Sequence, residues 1–175
     1  MTTGDSARVV RAHLYGTVVI GIFVVLPALA LRRFDAFVPF SLPDPLRYPG
    51  LALLVAGAIL SYTSFWFFIT EGKGTAFPTD PPKELVIRGP YLYVRNPMYV
   101  GNLAIIFGAA FYFASATVFL YAVAMCFVTH FYITASEEPV LIRRYQDPYL
   151  QYIKTTPRWL PRLSRTGPAI VRGGR

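Results

Sequence analysis

Apolar positions in this chain come in long unbroken runs rather than the short stripes of a soluble amphipathic fold. A hydrocarbon core of about 30 Å needs about 20 apolar residues of helix, at about 1.5 Å each. The charge-free runs Leu14 to Leu31 and Tyr48 to Thr70 are of that order. A third run, Asn96 to Ser136, contains no charged residue apart from the titratable His130. As one helix it would extend about 61 Å, so it predicts two spans back to back with a turn near Ala114 to Thr117. The pattern therefore predicts an all-α integral membrane protein with four transmembrane helices, over about 14–31, 48–70, 97–114 and 117–135. The last two form a tight helical hairpin.

The rest of the chain is organised around those spans, so residues 1–175 read as a single membrane domain. Pro39, Pro43, Pro45 and Pro49 mark residues 32–49 as an irregular connection. A polar loop covers 71–96, a polar C-terminal segment covers 136–165, and the basic, glycine-containing tail 166–175 is expected to fray. No internal repeat or low-complexity tract interrupts this plan.

Composition supports lipid as the solvent. Hydrophobic residues make up 54% of the chain against 15% charged, and mean hydropathy is +0.44. A net charge of +8 in a soluble protein would raise nucleic acid as a partner. Here the bilayer explains it better, because basic residues flanking spans set topology and meet anionic headgroups. Of the 17 Lys and Arg, all but Arg32, Arg33 and Arg47 fall on one side of the four-span arrangement. The positive-inside rule then places both termini, the 71–96 loop and the C-terminal segment in the cytoplasm. A competing expectation is a secretory signal built on Arg8, Arg11, the first apolar run and Ala28-Leu29-Ala30. That run is long for a signal, and Arg32-Arg33 follows it directly.

Several chemistries are weakened at this stage. The lone Cys126 lies in an apolar run and reads as a small buried hydrophobe. His13 and His130 have no metal-ligand spacing, so no metal is expected. Gly72-Lys73-Gly74-Thr75 lacks the full phosphate-loop pattern.

The polar chemistry gathers at the two ends of the 96–136 run, which the hairpin brings together. Asn96-Pro97 suits a helix start, with Asn96 as cap and Pro97 in the first turn. With Arg95 beside it, this helix N-terminus would also attract an anion. At the other end stand Glu137 and Glu138. Neighbours on a helix point about 100° apart, so one carboxylate could pair with Arg95 while the other faces a ligand. The plainer alternative is a salt bridge from Glu138 to Arg143 or Arg144. Tyr91, Tyr93, Tyr99, Tyr145, Tyr149 and Tyr152 fit either an interfacial aromatic belt or faces for a purine or a sulfonium. For Tyr149 and Tyr152 the belt is the simpler expectation.

These residues resemble a known family. G-P-Y-L-Y-V-R-N-P-M-Y-V-G is similar to the R-H-P-x-Y-x-G signature of the isoprenylcysteine carboxyl methyltransferase and phospholipid methyltransferase superfamily, in a form associated with bacterial members. E-E-P-V-L-I-R-R-Y-Q-D-P-Y-L-Q-Y-I-K-T-T-P-R-W-L-P resembles its tail. The resemblance spans roughly Gly72 to Pro161. It implies an S-adenosyl-L-methionine-dependent methyltransferase of a bacterial inner or plasma membrane, with its cofactor at the cytosolic face and a lipophilic methyl acceptor. Carried over by position, Gly89, Pro90, Tyr91, Arg95, Asn96, Pro97, Tyr99, Gly101, Glu137 and Glu138 would form the cofactor site. A carboxylate acceptor would be held by Arg143 or Arg144, and an amine acceptor would lose its proton to Glu138. Two positions depart from the pattern: Asn96 replaces the signature histidine, and Gln146 stands where the tail often has glycine. Sterol-reductase-type enzymes using NADPH share part of the pattern, and a non-enzymatic protein of the same fold is a further alternative.

Overall fold

The computed structural model describes residues 3–38, 40–72 and 84–161. All regular structure among them is helical. The first helical stretch comprises α1 (Thr3–Ile20), a π-helical turn (Gly21–Val25), α2 (Leu26–Leu31) and a 3-10 turn (Arg32–Phe37). A second 3-10 turn (Asp44–Leu46) leads into α3 (Arg47–Glu71). After a 3-10 turn at Gly89–Leu92 come α4 (Pro97–Tyr112) and α5 (Ala116–Tyr132). A π turn (Ile133–Glu137) joins α5 to α6 (Glu138–Tyr145), and α7 (Asp147–Thr155) follows.

Three stretches, Val9–Phe37, Asp44–Glu71 and Ala116–Tyr145, are long and apolar enough to cross a membrane. The expected third span is shorter than that. Pro97–Tyr112 has 16 residues, about 24 Å against a hydrocarbon core of about 30 Å. The charge-free run is divided unevenly, because the chain turns at Phe113 to Ser115, with Ala114 at φ 51°.

Glycines set how α3 and α4 meet. A Cβ on Gly57 would lie 2.7 Å from the Gly101 carbonyl, and one on Gly101 would lie 2.6 Å from the Ser61 nitrogen. Towards the other end, Gly50 sits against Tyr112 and Gly108 against the Leu54 backbone. Early α3 thus meets late α4, so the pair is antiparallel and in backbone contact along its length. Small residues permit such approach between apolar helices, where there is no hydrophobic force to draw them together.

Each π turn is followed by a proline. The Leu26 N–H bonds the Gly21 carbonyl just before Pro27, and the Glu138 N–H bonds the Ile133 carbonyl just before Pro139. Proline has no N–H and crowds the carbonyl four residues back, and the wider turn relieves both problems. The carbonyl that Pro27 leaves without a helical donor belongs to Phe23, and the Tyr121 hydroxyl donates to it at 2.7 Å.

The hairpin turn is held from the first stretch. Asp35 accepts from the Thr117 N–H at 2.9 Å and from the Ser115 hydroxyl at 2.9 Å. Thr117 Oγ1 lies 2.7 Å from both Asp35 Oδ1 and the Leu31 carbonyl, sharing its one proton. Ser115 itself caps α5 by accepting from the Val118 N–H. An anion here also suits the positive end of the α5 dipole. Below the turn, Val24, Ala28, Ile106, Ala109, Ala110, Val118 and Ala122 form one buried cluster. The bundle is therefore pinned at the turn end, and its other end carries the polar groups.

Candidate functional site

The site is assembled where α3 ends, α4 begins and α5 continues into α6. Gly89 adopts φ +56° with Phe67 packed where a side chain would stand. That conformation is cheap only for glycine, and it turns the chain into Pro90 and the buried Tyr91. The Tyr152 hydroxyl donates to the Tyr91 carbonyl at 2.6 Å, tying α7 to this turn. The Arg95 N–H bonds the Pro157 carbonyl at 2.9 Å, and Asn96 Nδ2 donates to the Arg158 carbonyl at 3.3 Å. The segment after α7 thus crosses the start of α4 like a strap. Asn96 precedes the helix as expected, but its side chain makes no cap bond to α4; the strap takes its amide instead.

Glu138 is the charge centre of the arrangement. Its Oε1 accepts from Arg95 Nη1 at 2.7 Å and from Arg158 Nε at 2.9 Å, and its Oε2 accepts from Arg158 Nη2 at 2.8 Å. The Arg95 and Glu138 side chains are only 8% and 10% exposed. The alternative salt bridge to Arg143 or Arg144 does not form; both arginines are exposed on α6, with the Arg144 guanidinium 5.8 Å from the Tyr145 ring. Removing charges from water is costly unless each is paired and hydrogen-bonded, and α6 itself carries no cation on its buried face. The hydrogen bonds that Arg158 donates to Glu138 raise its pKa further above the ordinary value. Arg95 Nε is a buried side-chain nitrogen without a partner among the described residues.

Glu137 points elsewhere, as adjacent helical residues must. Its Oε2 accepts from the Tyr99 hydroxyl at 2.9 Å. An open cleft lies in front of it, lined by Phe68 of α3, Glu84 to Val86, Tyr91, Arg95, Asn96, Glu137, Leu141, Tyr145, Tyr149 and Tyr152. Burial raises the phenol pKa values of Tyr91, Tyr149 and Tyr152, so all three remain neutral donors across the physiological range.

Of the residues singled out by sequence, Tyr91, Arg95, Asn96 and Glu137 line the cleft. Glu138 stands behind Arg95, and Tyr99 behind Glu137. Gly89 and Pro90 make the turn, while Pro97 and Gly101 are buried at the start of α4. Arg143 and Arg144 lie outside the cleft lining. Lys73 to Thr75, in the fragmentary phosphate loop, fall outside the described residues.

Three residues were not singled out for this site. Tyr149 and Tyr152 are 3% exposed and line the cleft, rather than sitting in a belt. Their spacing of three on a short helix otherwise exposed at Gln151 and Lys154 was the available signal. Arg158 counts in the sequence only as tail charge; its signal was the proline-flanked P-R-W-L-P, which marks a segment held in one conformation.

The fold and the site define a helical membrane protein with a polar, ion-paired cleft at one end of its bundle. Its residues 46–148 match the phospholipid methyltransferase family, more than half of the chain, and the chain belongs to that family. The family is one of membrane methyltransferases, within the superfamily that the two motifs resemble. No curated protein matches the chain.

Proposed function

We propose that this chain is an S-adenosylmethionine-dependent methyltransferase acting on a lipophilic or amphiphilic acceptor at the cytoplasmic surface of a bilayer. The observation that carries the reading is Arg95. Its guanidinium is buried and fixed by Glu138, and Arg95 lines the cleft. A cation in the lining would give a ligand carboxylate a charge-assisted bond. The other walls suit the same ligand: tyrosine faces can hold a purine and a sulfonium cation. Asn96 adds a neutral polar group to the lining.

Bound adenosylmethionine supplies an electrophilic methyl group on a sulfonium. The chain's own contribution is positioning and a preset electrostatic field. Arg158 and Glu138 act by holding Arg95 in place. Arg143 and Arg144, on the outer face of α6, are available to an acceptor's anionic group. An amine acceptor must also lose a proton. Glu138 is committed to two guanidinium groups, so Glu137, which lines the cleft, is the better-placed carboxylate for that proton.

In this reading α4 completes a four-helix crossing, with local thinning of the bilayer absorbing its shortness. Arg88, Arg95, Arg143, Arg144, Lys154 and Arg158 all lie towards the cleft end, and Arg32, Arg33 and Arg47 towards the other, which supports a cytoplasmic cleft. Thermal unfolding of the purified protein in detergent tests the cofactor. Adenosylmethionine and adenosylhomocysteine should each raise the midpoint, NADPH should not, and Arg95→Met should lose the response. A shift with NADPH alone would replace this reading with a reductase.

A further inference from the structure

Asn102 lies five residues into α4 from Pro97, about 7.5 Å below the helix start. Polar side chains at such depth are expensive, and they mark pathways or binding groups. Ser61 on α3 donates to Asn102 Oδ1 at 2.7 Å and is itself 3% exposed. That bond satisfies one end of the amide. The other end, Nδ2, makes no hydrogen bond among the described residues, and the residue is half-buried rather than sealed.

The helix register shows where this amide sits. Tyr99, Asn102 and Ile106 fall on one stripe of α4. Tyr99 reaches Glu137 at the end of α5, and Ile106 packs with Val118 and Ala122 of α5. Asn102 therefore stands between α3 and α5, one turn deeper than the Tyr99–Glu137 pair, and not on a face turned wholly to lipid.

We propose that Asn102, held by Ser61, is a specificity residue for the acceptor: it donates a hydrogen bond to an ester carbonyl oxygen of a diacyl lipid whose headgroup meets the cofactor at the edge of the cleft. The inference rests on the methyltransferase reading of that cleft. A neutral amide suits an uncharged oxygen better than a phosphate, which would call for a cation. The depth also fits, because the ester carbonyls of a glycerolipid lie just beneath its headgroup. Turning the amide over would exchange the free N–H for a free carbonyl. Ser61 can donate or accept, but only the orientation with Oδ1 towards Ser61 leaves a donor for the lipid.

The test compares binding of a short-chain diacyl phosphatidylethanolamine with that of its dialkyl ether counterpart, which lacks both carbonyls. Wild-type protein in detergent should bind the ester lipid about tenfold more tightly, the worth of one good hydrogen bond. Asn102→Leu should bind both lipids equally, at the affinity of the ether form, with adenosylhomocysteine binding unchanged. Ser61→Ala, which only frees the amide to rotate, should narrow the preference. Equal wild-type binding of the two lipids, binding of neither, or a preference that persists in Asn102→Leu would each overturn the assignment. Loss of adenosylhomocysteine binding by the wild type would instead remove the methyltransferase reading, and the ester–ether comparison would still decide the role of Asn102.

Discussion

Gln146 holds a backbone conformation that few side chains accept, with φ 48° and ψ −127°. It joins α6 to α7, and the resembling tails often carry glycine there. Glycine reaches such angles without a Cβ penalty, and strain of this kind costs about 1–3 kcal/mol. Gln146→Gly should therefore raise the thermal midpoint in detergent, by an amount corresponding to about 1 kcal/mol; a lower midpoint would show that the glutamine side chain contributes more than its backbone costs. Glu138 makes the opposite case. Replacing it with Gln leaves two guanidinium groups without their anion, so Glu138→Gln should destabilise by about 3 kcal/mol. Arg158→Met should cost less, because Arg158 is 30% exposed and Arg95 still pairs with Glu138. Base should act through the buried phenols. Their folded pKa values lie above the ordinary value near 10, so the stability they contribute is present below about pH 10 and lost as pH rises beyond it. Unfolding midpoints recorded from pH 7 to 11 should be level at first and then fall, with a smaller fall in Tyr149→Phe. At this scale the sequence made Arg95 and the Glu137-Glu138 pair visible, because charges at the ends of apolar runs stand out. Arg158 was not visible as a partner, since nothing local says that a tail 20 residues on folds back over α4.

The elements were legible where lipid dictates them. Expected bounds of 48–70 compare with Arg47–Glu71 for α3, and 97–114 with Pro97–Tyr112 for α4. The hairpin turn falls within a residue or two of its expected place, because a charge-free run of that length must reverse. The π turns were only half legible. Pro27 and Pro139 announce a disturbed helix, but its form depends on partners far along the chain, such as Tyr121. Tyr121→Phe removes the donor to Phe23 and should lower stability by about 0.6 kcal/mol, the usual size of such bonds between membrane helices, read as a drop in the unfolding midpoint. The α3–α4 seam is less tolerant. Gly101→Leu would drive a side chain into the Ser61 backbone and should prevent native folding, seen as loss of monodisperse protein on size exclusion. Gly21→Ala, with open space around it, serves as the matched control and should elute normally. Normal elution of Gly101→Leu would mean that the seam is not close-packed.

Taken as a whole, the chain pins a helical bundle at one end through Asp35 and the α5 start, and leaves a cleft at the other. Its net positive charge, which the sequence alone ties only to topology, includes two cations that build the site, Arg95 and Arg158. The fold class was open to the sequence because hydrophobic run length is a property of the chain alone. The cleft was not, because it requires α7 and the strap to dock on the start of α4. Topology is tested by single cysteines in a Cys126→Ala background: positions 10 and 150 should react with an impermeant maleimide from the same side of sealed vesicles, and position 41 from the opposite side. The claim that the cleft transfers methyl groups is tested most directly by reconstituting the protein with a bacterial lipid extract and methyl-labelled adenosylmethionine, then counting label in the lipid fraction. Wild type should label lipid, with incorporation reduced at least tenfold in Arg95→Met and Glu137→Gln proteins that still elute as folded. No incorporation by the wild type, or equal incorporation by all three, would contradict that claim.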